Sequence, residues 1–176
     1  MKIKKVLVAS LLLMLVQMNS NAFARNEGVQ DGYRGFVDAG YSLGVGDWGL
    51  DRSSISTIHG YQFNPYIFLG GGVGVNYYSD VEFLSVPTFV AFRSDFIDGG
   101  ISPFAEVRLG YSTGDLNGIY FSPNVGCRFG LSNNFAINVS LGYDLEQINV
   151  RTVYGRYYSD HKKMCGAFTF RVGIEF

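Results

Sequence analysis

After residue 5 the chain of 176 residues holds only two lysines, Lys162 and Lys163, side by side near its end. Charged residues of every kind make up 16% of it, whereas a soluble domain spreads charge over its whole surface. Beyond residue 16 no apolar run approaches the ~20 residues of a membrane-spanning helix. With two cysteines and two histidines in all, no metal or cofactor site is read from the sequence. Three of the 14 basic residues lie at the extreme N-terminus, and the remaining 11 face 15 acids, a formal charge of −4. That balance argues against a nucleic-acid partner.

What is present is aromatic and glycine-rich, with 16% aromatics and 23 glycines. The first residues carry their own signature. Lys2, Lys4 and Lys5 precede an apolar stretch from Val6 to Val16, and Ala22-Phe23-Ala24 supplies the small-x-small pattern of a signal-peptidase site. Residues 1–24 therefore read as a secretory signal peptide, leaving 25–176 as one domain of about 150 residues. An exported chain with little charge and no spanning helix in its mature part has one way to sit in a bilayer. Every backbone polar group must be paired within the protein, so the strands must close into a barrel.

The last residues, GAFTFRVGIEF, show the pattern such a barrel needs. Phe168, Phe170, Val172, Ile174 and Phe176 share one face, while Ala167, Thr169, Arg171, Gly173 and Glu175 share the other. Eight such stretches are predicted as strands, near 33–45, 54–63, 66–78, 84–96, 102–112, 118–129, 135–146 and 166–176. Each reaches the ~9–11 residues that cross a membrane at a tilt. On the face opposite the apolar one lie Asp38, Arg93, Glu106, Arg108, Arg128, Asp144, Glu146, Arg171 and Glu175. A lysine or arginine turned to lipid costs ~2–4 kcal/mol at the bilayer midplane, so the apolar face is the outside and the charges line the lumen. Near balance of sign suits a dry interior, where unpaired charge costs several kcal/mol. Asp38, Glu106, Arg108 and Arg171 are expected to form the central network, with Arg171 and Glu106 as partners.

Asn64-Pro65, Asp98-Gly99-Gly100 and 131–134 read as short turns, and GDWGLDRSS, SDVEF, TGDLN and 147–164 as longer polar loops. Short turns on one rim and longer loops on the other match an outer-membrane barrel with its turns in the periplasm. An even strand number places both termini there too. Three residues fit poorly. His59 falls on the lipid face, so either its ring stays neutral among aromatics or a bulge shifts the phase. Pro87 and Pro123 interrupt strands and are expected to mark bulges.

AGYSLG (39–44), LGYSTG (109–114), HGYQFNPYIFLGGGVG (59–74) and the strand ending in Phe176 carry a family likeness. The chain resembles the small eight-stranded outer-membrane β-barrels of the OmpA transmembrane-domain and OmpX-like group. The resemblance implies an all-β, closed, antiparallel up-and-down barrel in the outer membrane of a Gram-negative cell. It implies Phe176 as part of the signal to the barrel-assembly machinery, and roles ranging over envelope structure, adhesion and lipid A modification.

GGGVGV (70–75) lacks the Lys-Ser/Thr and helix of a P-loop, and its alternate glycines make room in a narrow lumen. Gly46-Asp47-Trp48 matches a lipocalin motif formally, but a soluble barrel would turn its polar face outward. His59 and His161 lack any recognisable catalytic motif, so no catalytic residue and no enzyme activity are assigned; a lipid-modifying enzyme and a minor small-solute pore remain as alternatives. Cys127 and Cys165 fall near opposite ends of their strands, ~25 Å apart, against the ~7 Å limit for a disulfide. Within 150–164, Arg151, Tyr154, Arg156, Tyr157, Tyr158, Lys162 and Lys163 combine cations with the ring types enriched at binding hot spots. They are candidate contacts for lipopolysaccharide phosphates on a monomeric barrel with a structural or surface-interaction role; the plainer reading of the same stretch is a mobile, solvated hairpin that extends strands seven and eight.

Overall fold

The structure is a computed structural model that describes residues 31–46, 49–115, 117–132, 135–154 and 157–176, apart from the side chains of 148–162. The signal peptide read at 1–24, Trp48 and Arg156 lie outside the described residues. The elements are β1 (Gly32–Val45), β2 (Arg52–Asn64), β3 (Ile67–Tyr78), β4 (Phe83–Asp95), β5 (Ile101–Gly114), β6 (Gly118–Ser132), β7 (Phe135–Tyr154) and β8 (Tyr157–Glu175). Each strand pairs antiparallel with its sequence neighbours, and β8 pairs back with β1 to close the barrel. Closure leaves no sheet edge in the barrel wall itself.

The stagger of the barrel follows from its register. A walk across paired residues from Gly35 passes through His59, Gly71, Val90, Leu109, Phe121, Leu145 and Gly166 and returns to β1 at Val45, ten residues further on. With eight strands, that offset tilts them ~40° from the axis and leaves a lumen just wide enough for side chains. Alternation then sorts the residues. Leu43, Ile55, Leu69, Val90, Leu109, Val125, Leu141 and Phe168 point outward and are exposed, while the strand positions between them are buried. A belt of this size on a protein in water would be an aggregation surface; in hydrocarbon it is the solvated face.

The hairpin reading of the last connection holds: β7 and β8 run on as a paired ribbon from Gln147↔Met164 to Tyr154↔Tyr157. Two expectations from the sequence need correction. The connections at 46–51, 79–82 and 115–117 are little longer than the turns at 65–66, 96–100 and 133–134. The asymmetry of the two rims thus lies in the overhanging ribbon. Ile148, Val150, Thr152 and Val153 are β-branched and favour strand, but a ribbon beyond the barrel has no lumen on one side and loses the alternation that betrays a strand. The prolines, moreover, mark no bulge. Among the described residues, register shifts occur only between Gln62 and Asn64 and between Gly130 and Ser132, both beside turns. At Pro87 the β3–β4 ladder omits two pairs and resumes in the same register, while Pro87 stays paired with Ser112 of β5. Pro123 does the same, paired with Val107 on one side and leaving two pairs open against β7. Each ring removes one donor, and the sheet absorbs the loss on one side only.

Candidate functional site

The lumen holds the protein's concentrated chemistry. Asp38, Arg93, Glu106, Arg108, Arg128, Arg171 and Glu175 are all buried there, with Asp144 and Glu146. Three charged residues that the sequence reading passed over join them: Arg34, Arg52 and Asp95. Arg34 and Asp95 share the inward phase of their strands but stand at strand ends. Arg52 stood in the stretch read as loop, two residues ahead of the predicted strand and in phase with it. With these three, six buried arginines face six buried carboxylates among the described residues. The lumen charge sums to zero.

The pairs form three tiers. Nearest the rim that carries the termini, Arg34 lies 2.7 Å from Glu175 and 3.5 Å from Asp95 and donates to Gln62. Arg93 Nη2 donates to Asp95 at 2.8 Å, and Arg128 Nε lies 3.1 Å from Glu175. Aromatic rings fill the space between. The Arg93 guanidinium stacks 3.6 Å from the centre of Phe104, and Phe36 meets Phe68 edge-on at 5.1 Å. In the middle tier Arg108 bridges two carboxylates, Asp38 at 2.7 Å and Glu106 at 2.5 Å. Phe89 and Tyr120 pack beside it, 5.7 Å apart, and Gly72 leaves the space the Phe89 ring fills, since a Cβ there would sit 2.7 Å from it.

Arg171, also in the middle tier, corrects the sequence expectation. Its Nη2 donates to both oxygens of Asp144 at 2.8 Å, and its Nη1 donates to Asn124; Glu106 belongs to Arg108. In the far tier Arg52 lies 3.0 Å from Asp144 and 3.6 Å from Glu146. Glu146 accepts from Ser85 Oγ at 2.5 Å, from Asn76 Nδ2 at 3.2 Å and from the Tyr78 hydroxyl. Charge-assisted bonds of this kind are roughly twice as strong as neutral ones. They offset a desolvation cost of several kcal/mol per ion.

Outside the lumen the remaining candidates separate. The ribbon carries Arg151 and Tyr154 on β7 and Tyr157, Tyr158, Lys162 and Lys163 on β8, with Arg151 paired to Asp160 and Val153 to Tyr158. His161 lies on β8 opposite Val150. Phe176 faces outward and is tied to Gly35 by two backbone bonds of 2.8 and 2.9 Å. His59 does face outward, without a bulge: its register is continuous with Gly35 on one side and Gly71 on the other. Both ring nitrogens are engaged, Nδ1 with the Tyr33 hydroxyl at 2.6 Å and Nε2 with Thr57 Oγ1 at 2.9 Å. Cys127 and Cys165 are unpaired; Cys165 is buried against Tyr78, with Leu50 of the first connection packed over them. No cluster of His, Cys, Asp and Glu among the described residues could hold a metal ion.

No protein-family model and no curated protein matches the chain. Solved structures do. The crystal structure of neisserial surface protein A (NspA) superposes with a TM-score of 0.63 at 14% identity, covering 82% of this chain and 96% of that one. A de novo designed transmembrane β-barrel superposes with a TM-score of 0.55 at 18% identity, covering 86% and 98%. The fold is that of the small eight-stranded outer-membrane β-barrels. At these identities the likeness is one of architecture, and it agrees with the resemblance read from the strand pattern.

Proposed function

We propose that the protein is an integral, monomeric barrel of the bacterial outer membrane, with both termini in the periplasm and a structural or surface-interaction role. One observation carries this reading: the lumen is occupied by six arginines balanced by six carboxylates, with aromatic filler. A barrel so filled acts through its outer wall and its projecting ends, and the wall is an apolar belt suited to lipid. The overhanging β7–β8 ribbon is the natural contact surface. Arg151, Arg156, Lys162 and Lys163 offer cations to lipopolysaccharide phosphates, and Tyr154, Tyr157 and Tyr158 offer rigid contact area. Phe176 at the closing strand is the proposed handle for the barrel-assembly machinery.

The experiment is fractionation and heat-modifiability. The protein should sediment with outer membranes, and unboiled and boiled samples should migrate differently on a detergent gel. A cysteine introduced by Ser159→Cys should react with an impermeant maleimide added to intact cells. Recovery as a soluble protein without a mobility shift would overturn the membrane assignment. Labelling only after the outer membrane is opened would invert the orientation.

A further inference from the structure

The geometry points to a lipid-binding site on the barrel's outer wall, selective for a diacyl glycerophospholipid with a primary-ammonium headgroup. The site combines a polar relay near the rim of the termini with an apolar groove running toward the midplane. That this rim faces the periplasm rests on the function proposed above; the site itself does not.

The relay has a fixed direction. Thr57 Oγ1 donates its one hydrogen to the Phe36 carbonyl, 3.1 Å away, which can only accept. The bond between Thr57 Oγ1 and His59 Nε2 must therefore be donated by Nε2–H. A neutral imidazole then has Nδ1 as its acceptor, and the Tyr33 hydroxyl donates to it at 2.6 Å. Every hydrogen in the chain from Tyr33 through His59 and Thr57 to Phe36 is spent. What remains for a ligand is the acceptor capacity of the Tyr33 oxygen, on a residue 64% exposed.

The surroundings favour a cation at that acceptor. Tyr33 stacks on His59 at 6.1 Å, and Phe176 meets His59 edge-on at 6.3 Å. Aromatic faces attract ammonium groups. At the level of His59 the two flanking residues are both glycines. The Phe176 ring covers Gly35, where a Cβ would lie 2.6 Å from it, but a Cβ at Gly71 would meet only the Phe89 carbonyl oxygen at 3.9 Å, which leaves the other side of the imidazole open.

The groove begins at the next outward position. Thr57 forms its near end, and Val37, Ile55, Val73 and Val75 line about 270 Å³ of almost wholly apolar space. From Tyr33 to Val37 is four residues along β1, ~10 Å along the membrane normal at ~3.3 Å per residue and ~40° tilt. That span separates an ammonium from the start of an acyl chain in a glycerophospholipid. A lipid lying along the wall would place its amine at Tyr33 and a chain against the four aliphatic residues.

The test is native mass spectrometry of the refolded full chain, released from micelles containing equimolar palmitoyl-oleoyl phosphatidylethanolamine, phosphatidylcholine and phosphatidylglycerol. The ethanolamine lipid should be retained about two- to ten-fold over the others, the range expected of one net hydrogen bond that a quaternary ammonium cannot donate. Tyr33→Phe keeps the ring at an exposed position and removes the acceptor, so it should bring the ethanolamine lipid down to the level of phosphatidylcholine. Val73→Trp, which fills the groove, should lower retention of all three. Equal retention of the three lipids by the unaltered chain, or a preference that survives Tyr33→Phe, would overturn the site. If the same preparation shows the heat-dependent mobility shift, the outer-membrane reading stands while the site falls; if it shows none, both fall.

Discussion

Arg171 closes on Asp144, with Nη2 2.8 Å from both carboxylate oxygens, and leaves Glu106 to Arg108. Asp144 stands on β7, the strand next to Arg171 on β8, whereas Glu106 stands on β5, three strands away. Glu106 pairs across β6 with Asn124, and it is Asn124 that stands between Glu106 and Arg171, accepting from the guanidinium. Removing Arg171 takes one of two cations from a nearly dry carboxylate and leaves Asp144 to Arg52, so Arg171→Leu should cost roughly 1.5–3 kcal/mol. A double-mutant cycle of Arg171→Leu with Asp144→Leu, followed by urea unfolding of the barrel refolded in detergent, should show coupling above ~1 kcal/mol. The same cycle with Glu106→Leu should be additive within ~0.5 kcal/mol. Strong coupling to Glu106 and none to Asp144 would mean the tiers are wrongly connected.

The lumen should carry little current. Phe36, Phe68, Phe89 and Tyr120 fill its axis, and every buried guanidinium lies against a carboxylate. A passing ion would have to displace one of these partners in a space with no room for bulk water. Planar-bilayer recordings of the refolded protein should show no steady conductance steps. Large, long-lived steps would make it a pore.

Phase was legible in the sequence and height was not. The penalty for turning charge to lipid is large enough that the alternation around Val107, Arg108 and Leu109 reveals which face is which. The same alternation in eight separate stretches carries the strand count and the up-and-down order. Partner choice depends on the ten-residue stagger, which no local pattern encodes, so Arg171 could be placed inside but not matched to Asp144. Arg52 was hidden by a polar, glycine-containing neighbourhood that resembled a loop, although its two-residue spacing to Ser54 held the inward phase. The β7–β8 ribbon was legible as a hairpin extending two strands, but its bounds were not, because outside the barrel there is no lumen to enforce alternation. His59 was placed outward from phase alone, but its hydrogen-bond partner Tyr33 comes from another strand.

Both cysteines should label fully with a maleimide after denaturation, with or without prior reduction, because neither is paired. In the folded barrel they should differ. Cys165 has no exposed surface and is packed with Tyr78 and Leu50, whereas Cys127 is only partly buried. Timed alkylation of the native protein in detergent, followed by peptide mass mapping, should find Cys165 protected until unfolding. Rapid native labelling of Cys165 would show that the first connection does not cover it, and a Cys127–Cys165 bridge would break the strand register.

Gly173 tests whether the central tier depends on the space left by a missing side chain. It pairs with Asp38 across the β1–β8 seam, and the Asp38 carboxylate lies over it: a Cβ on Gly173 would sit 2.0 Å from Oδ1. The next nearest atom of another residue's backbone is the Val37 carbonyl oxygen at 3.1 Å, a contact that a small shift relieves. The methyl group of Gly173→Ala should therefore act mainly by pushing Asp38 off Arg108, now 2.7 Å away. Arg108 would keep Glu106, but Asp38 would be left buried without its cation, at a cost of about 1–3 kcal/mol. In an Asp38→Ala background the carboxylate is gone, and adding Gly173→Ala should then cost less than ~0.5 kcal/mol. Urea unfolding of the two single variants and the double variant separates the possibilities. An equal cost of Gly173→Ala in both backgrounds would place the clash on the backbone at Val37 and remove Asp38 from the explanation.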